Sequence, residues 1–299
     1  MNCVSLALAL TLTFSAAVPF RSLPVPPREA AAETAAPAAP AAPVSLIPSS
    51  RNEDGAVTYE TRLPVLMYHH VVPDGKECNE MTVTMGRLEQ DLRWLAENGY
   101  HTVLPRELAA GQPLPEKPVL LTFDDGYRSN YLLAYPLLQK YQAKAVIALM
   151  AYMPDNWADG FLSWDMCRDM TASGLVEIGS HGYAIHNLDE REGNFVPGQA
   201  NGVQRRKGES YNDFYCRVLE DLRYSFDRIA QEVGTPPTYF AYPFGKTDPD
   251  ADAYLEALFP VTVVTGPGKH AANLSQGLHQ LPRFTVTMKC PPWALLKNI

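Results

Sequence analysis

The chain has 299 residues, 46% of them hydrophobic, with a formal net charge of −8 and a pI near 5.4. That length suffices for one large core, since a single α/β barrel takes roughly 250 residues, and the acidic balance excludes the basic footprint of a protein that grips nucleic-acid phosphates. The five cysteines, Cys3, Cys78, Cys167, Cys216 and Cys290, contain no C-x-x-C pair of the kind that builds a zinc knuckle or a thiol redox site.

Residues 1–20 read as an export signal or a membrane anchor. Val4 to Val18 is almost wholly apolar or small and includes Ser15-Ala16-Ala17, but Met1-Asn2-Cys3 supplies no positive charge. Cys3 precedes the apolar run, the wrong side for a lipid-attachment cysteine. Residues 21–61 are rich in Ala and Pro, as in Ala35-Ala36-Pro37-Ala38-Ala39-Pro40, and such a segment forms an extended tether rather than a core. The folded region spans 62–299. Strands are predicted at Pro64 to Tyr68, His101 to Leu104, Val119 to Phe123, Ala145 to Leu149, Val176 to Gly179, Tyr239 to Tyr242 and Val261 to Thr265. Between them, Arg87 to Asn98 places Leu88, Leu92 and Leu95 on one helical face, and Asp213 to Val233 aligns Phe214, Val218, Leu222, Phe226 and Ile229. This alternation predicts a mainly parallel sheet wrapped by helices, and seven strands suit a barrel. A doubly wound open sheet would give the same string.

Three strand ends carry chemistry, and in barrels and open parallel sheets alike the C-terminal strand ends share one mouth. Val119 to Phe123 runs directly into Asp124-Asp125-Gly126. Adjacent aspartates repel, so the pair fits a site where one binds a cation and the other handles protons. An Asp-Asp-Gly turn capping the next helix is the plainer alternative. A second strand ends in Ser180-His181-Gly182-Tyr183-Ala184-Ile185-His186, with its histidines five positions apart. One carboxylate and two neutral imidazoles, leaving positions open for water and substrate, make the ligand set of a catalytic metal site. The third is Phe240-Ala241-Tyr242-Pro243-Phe244-Gly245, an aromatic strand end turned sharply by proline and glycine. Its ring faces suit sugars as well as plain packing.

Taken in order, Thr122-Phe123-Asp124-Asp125-Gly126, the His181 to His186 loop and Phe240 to Gly245 resemble the first three motifs of the polysaccharide deacetylases of carbohydrate esterase family four. Val65-Leu66-Met67-Tyr68-His69-His70 and Ser163-Trp164-Asp165 are similar to further family features, so the resemblance covers roughly Leu63 to Phe284. It implies an α/β fold, a distorted (β/α) barrel of about seven parallel strands, and a hydrolase that removes N-acetyl groups from an N-acetylglucosamine polysaccharide. By the same resemblance Asp125, His181 and His186 hold one divalent metal ion, zinc by default, with cobalt, nickel and manganese compatible with the same ligands. Asp124 becomes the base that deprotonates the attacking water. The backbone N–H of Tyr242 or its neighbour becomes an oxyanion donor. His69, Tyr242, Pro243, Phe244 and Trp164 are placed at the substrate.

Three departures from the family pattern stand out. The five-residue histidine spacing resembles that of the exported deacetylases that act on poly-β-1,6-N-acetylglucosamine in biofilm matrix, as does Leu281-Pro282-Arg283-Phe284-Thr285-Val286. Ala241 occupies the stretch where many relatives carry an arginine that orients the base, which predicts a less firmly oriented Asp124. No standard Leu-x-His motif supplies a general acid; His279 ranks first and His270 second as late candidates. The polar segment Asn187 to Ser210, with Arg205-Arg206-Lys207, reads as a solvated loop. Two rival functions remain at this point: an esterase for O-acetyl groups on xylan or a wall polymer, and a catalytically weak glycan-binding module. The expected setting is extracytoplasmic, with a monomeric protein, a polysaccharide as partner, a membrane tether through the N-terminal segment and no nucleic acid.

Overall fold

Side chains along a strand alternate between its two faces, and here that alternation decides what reaches the site. In Pro118–Phe123, Leu120 packs in one apolar cluster with Val65, Val146, Ala148, Tyr239, Ala241, Val261, Val263 and Leu281. Its neighbours Leu121 and Phe123 pack in another with Leu88, Leu92, Leu138 and Cys167, which lie on helices. The first cluster fills the inside of a barrel; the second lies between barrel and helices.

The computed structural model describes residues 47–51, 57–60, 62–186, 202–206, 208–265 and 270–297. These residues belong to the unit Ala41–Ile299. Eight parallel strands run in the order Leu281–Pro282, Val261–Val264, Tyr239–Ala241, Val176–Ser180, Ala145–Leu149, Pro118–Phe123, Val65–Tyr68 and Phe284–Thr285. The two strands at the ends of this path are separated in the chain by Arg283 alone, so the sheet is a nearly closed barrel whose seam is Arg283. All seven predicted strands are present. His101–Thr102 is short and pairs only with the start of Pro118–Phe123, and Leu281–Pro282 and Phe284–Thr285 are additional. These last two are only two residues long, below the length at which alternation is visible in a sequence.

The helix Met85–Glu97 is capped by the Thr84 hydroxyl, which accepts from the Arg87 N–H at 3.2 Å. It buries Leu88, Leu92 and Leu95 as expected, and Asp91 among them. The segment predicted as one helix over Asp213 to Val233 is divided into Tyr211–Phe214, a π-turn Tyr215–Leu219, and Glu220–Val233, which ends on a left-handed Gly234. The wider π-turn shifts the phase of the buried face, so Ser225 is fully buried while Phe226 is only half-buried.

The export signal or anchor at 1–20, and the tether as far as residue 46, lie outside the described residues. Within the remainder of the segment read as tether, Ile47–Arg51 pairs antiparallel with Val57–Glu60; Val57, Thr58 and Tyr59 favour strand over extended coil. Among the described residues no helix is long and apolar enough to cross a membrane, and Cys78, Cys167, Cys216 and Cys290 are all free thiols.

Candidate active site

Asp124 extends the inward phase of Leu120 and Thr122 by one more step, which aims it into the barrel mouth. Its N–H donates to Tyr68 O at 2.9 Å, so the backbone is still held by the parallel ladder one residue past the strand end. Asp125 turns away in the left-handed region at φ 74, followed by Gly126 at φ 75. Asp tolerates that conformation better than most side chains. The two carboxylates therefore diverge: Asp124 is 2% exposed and Asp125 8%.

The histidine loop is built in the same way. The His181 N–H donates to Leu149 O at 2.9 Å, just beyond the strand Val176–Ser180. His181 Nδ1 lies 2.7 Å from Ala241 O. A carbonyl can only accept, so Nδ1 carries the proton and Nε2 presents its lone pair. That Nε2 is 3.6 Å from Asp125 Oδ1, and His186 Nε2 is 3.6 Å from the same oxygen. Ligand atoms from Asp125, His181 and His186 all lie within 4.8 Å of one another. Burial pushes the His181 pKa down to about 4, against the pull of Asp124, so its imidazole is neutral at ordinary pH. Two imidazole nitrogens and one carboxylate oxygen this close together fit a divalent metal ion with open positions.

Beside this cluster, Arg283 reaches in from the barrel seam. Its Nη1 and Nη2 donate to Asp124 Oδ1 and Oδ2, each at 2.7 Å, and Nη2 also donates to the Thr265 hydroxyl at 3.0 Å. Burial alone would raise the Asp124 pKa, but the charge of Arg283 and its paired hydrogen bonds hold the carboxyl well below the usual carboxylate range. The weaker orientation expected from Ala241 is thus corrected: the arginine is present but comes from the barrel seam, between Leu281–Pro282 and Phe284–Thr285. His69, one residue past Val65–Tyr68, stands on the other side with Nε2 3.9 Å from Asp124 Oδ2. Phe244, 39% exposed, brings its ring to 4.5 Å from that of His186.

A family model described as polysaccharide deacetylase matches residues 111–259. YxkH of Bacillus subtilis (strain 168), whose name carries the same description, is 30% identical over 233 residues, 76% of this chain and 72% of its own length. The chain belongs to the polysaccharide deacetylase family. Members of this family are hydrolytic enzymes. The poly-β-1,6-N-acetyl-D-glucosamine N-deacetylase of Escherichia coli (strain K12) is 29% identical over 244 residues, covering 74% of this chain but 36% of its own length, so the chain spans about a third of that relative. Among solved structures, the de-N-acetylase of Aggregatibacter actinomycetemcomitans matches with a TM-score of 0.67 at 26% identity, over 80% of this chain and 100% of that one.

Within this deacetylase chain, Asp124, Asp125, His181, His186, His69 and Phe244 meet at one mouth, and the four other expected residues, Tyr242, Pro243, Trp164 and His279, do not join them. Tyr242 falls on the outward phase of its strand, fully buried with Phe240, their rings 5.3 Å apart. Its N–H donates to Val263 O at 3.0 Å, which leaves neither its ring nor its amide for a substrate. Pro243 is buried beneath the turn. Gly245 is required there, because a Cβ would stand 2.3 Å from Thr265 O. Trp164 begins the helix Trp164–Ala172 and is 8% exposed, its indole N–H donated to Asp155 at 2.8 Å. His279 lies at the opposite end of the barrel: it precedes Leu281–Pro282, the Leu278 carbonyl beside it accepts from Thr262 near the start of its strand, and it lines a cavity with His270 and Arg62. In the polar segment after His186, Arg205 N–H donates to Asp248 and Arg206 N–H to Glu209, which also pairs with Arg217. The described part of that segment is therefore tied down by the protein's own carboxylates.

Proposed function

We propose that this polysaccharide deacetylase is a metal-dependent N-deacetylase of an N-acetylglucosamine polymer, exported from the cytoplasm, with a poly-β-1,6-linked glycan as its substrate. The observation that carries this reading is the juxtaposition of the Asp125, His181 and His186 ligand atoms with an ionised, doubly hydrogen-bonded Asp124. The five-residue histidine spacing and the likeness to poly-β-1,6-N-acetyl-D-glucosamine N-deacetylases support the choice of glycan.

A divalent ion held by Asp125, His181 and His186, zinc by default, would supply the Lewis acidity that polarises the acetyl carbonyl and makes a nucleophilic water accessible near neutral pH. The protein's own groups do the rest. Asp124, kept ionised by Arg283, takes a proton from the attacking water. With Tyr242 N–H committed to the sheet, the Phe244 N–H next along the turn is the donor assigned to the developing oxyanion. The departing amine needs a proton, and His69, 3.9 Å from Asp124, is the residue positioned to deliver it.

The test is acetate release from N-acetylglucosamine oligomers of β-1,4 and β-1,6 linkage by the zinc-loaded protein and its Asp124→Asn variant. Release by the wild type alone supports the reading and identifies the linkage. Release only from O-acetylated xylan replaces it with the esterase, and no release from any polymer with zinc bound replaces it with a glycan-binding module.

A further inference from the structure

Four residues, Gly182 to Ile185, separate His181 from His186, and the loop they form has no regular structure to set its shape. Its shape comes from a helix behind it. Asp221, half-buried in the first turn of Glu220–Val233, accepts the Tyr183 N–H on Oδ1 and the Ala184 N–H on Oδ2, both at 2.7 Å, and the Ile185 N–H is directed at the same carboxylate. Successive backbone N–H groups turned onto one anion form a nest, and hydrogen bonds to a charged acceptor are stronger than neutral ones. Four residues on, the same helical face carries Ser225. Its hydroxyl lies 2.7 Å from that of Ser180, which accepts the Gly182 N–H at 3.0 Å.

The loop is closed down tightly on these groups. Gly182 has φ 87, and a Cβ there would meet Ile185 Cγ1 at 2.5 Å and Asp221 Oδ1 at 3.3 Å. Ile185 is buried among Val203, Phe214, Val218 and Leu222. His186 therefore follows directly from three residues whose amides converge on one carboxylate and one side chain sunk in the core. The π-turn Tyr215–Leu219 runs directly into the helix Glu220–Val233 and sets the phase that turns Asp221 and Ser225 together toward the loop.

We propose that Asp221 is the positioning residue of the metal centre, its carboxylate clamping the backbone between the two histidines so that His186 meets Asp125 and His181 in one ligand set. This rests on the metal-centre reading above. Outer partners that orient metal ligands commonly change metal affinity by about 10–100-fold when removed.

The experiment is a titration of the metal-free protein with Co²⁺ alone, read by the visible d–d bands, for wild type, Asp221→Asn and Asp227→Asn. Asp227 is an exposed carboxylate on the same helix, paired with Arg223, and controls for loss of charge. The proposal expects Asp221→Asn to bind Co²⁺ about 10–100-fold more weakly with altered bands, and Asp227→Asn to match wild type. Wild-type affinity and bands in Asp221→Asn would overturn it. Should Asp221→Asn not fold, amide hydrogen exchange on the metal-free wild type decides: slow exchange at Tyr183 and Ala184 upholds the clamp, and exchange at exposed-loop rates overturns it. No glycan enters these measurements, so a failure of the deacetylase reading leaves their outcome intact. A wild type that binds no Co²⁺ overturns clamp and metal centre together.

Discussion

Arg283 holds both carboxylate oxygens of Asp124 at 2.7 Å from the seam between Leu281–Pro282 and Phe284–Thr285. Both residues are 2% exposed. The Asp124 carboxylate is thus fixed in orientation and protonation state by the element that nearly closes the barrel. Removing one member of a buried pair leaves the other uncompensated and costs about 3–5 kcal/mol. Arg283→Met, which keeps much of the volume, is expected to lose stability in that range. The double variant with Asp124→Asn should lose less than the sum of the two single changes. Urea unfolding of the four proteins checks this, and strict additivity would show the pair to be energetically uncoupled.

The metal centre makes a separate prediction. Chelation should abolish acetate release, and Zn²⁺ or Co²⁺ should restore it. His181→Ala and Asp125→Ala should fail to recover at metal concentrations that reload the wild type. Asp124→Asn should behave differently, holding one equivalent of metal while turnover falls by roughly 10²–10⁴-fold, the usual contribution of a positioned base. Metal content after gel filtration, measured beside acetate release, separates the two classes.

Much of this site was legible from strand phase alone. Leu120, Thr122 and Asp124 share one parity, as do Leu281 and Arg283, so an inward arginine opposite an inward aspartate was available from counting. It was obscured because Leu281–Pro282 and Phe284–Thr285 are too short to read as strands. The same count puts Tyr242 on the outward face with Phe240, against its expected place at the substrate. Trp164 was misplaced for another reason: an aromatic near a motif gives no sign in sequence of whether its N–H already has a partner, and here Asp155 is that partner. His279 stands late in the chain, and no local pattern in the sequence reveals to which end of the barrel its loop belongs.

Asp91 carries a pH dependence away from the site. Fully buried in Met85–Glu97, it accepts the Tyr68 hydroxyl at 3.2 Å, and burial raises its pKa from 3.8 to about 7 despite Arg87 nearby. The folded state then holds that proton more tightly than the unfolded chain. The associated stability is complete below about pH 4 and is lost as pH rises toward 7, by on the order of 4 kcal/mol at roughly 1.4 kcal/mol per unit. Asp221, raised to about 6 chiefly by burial, acts in the same direction. The difference between wild type and Asp91→Asn isolates the one residue. Asp91→Asn should flatten the dependence and be the more stable protein at pH 8. Urea unfolding at pH 5 and pH 8 measures it, and parallel curves for the two proteins would assign the pH response elsewhere.

His69 and His279 compete for the role of general acid, and position separates them. His69 Nε2 is 3.9 Å from Asp124 Oδ2 at the C-terminal mouth, whereas His279 lines a cavity of about 290 Å³ with His270 and Arg62 at the other end of the barrel. Proton delivery to a leaving amine requires hydrogen-bond reach, directly or through one water, and of the two only His69 shares the mouth with Asp124. His69→Ala should lower kcat by about 10²–10³-fold while the Co²⁺ affinity of the protein is unchanged, because His69 is not among the converging ligands. His279→Ala should leave both kcat and KM as they are. The reverse pattern would require the N-terminal end of the barrel to carry the reacting bond, which would also detach the chemistry from Asp124 and Arg283. The two variants assayed together therefore test the acid and the location of the active site at once.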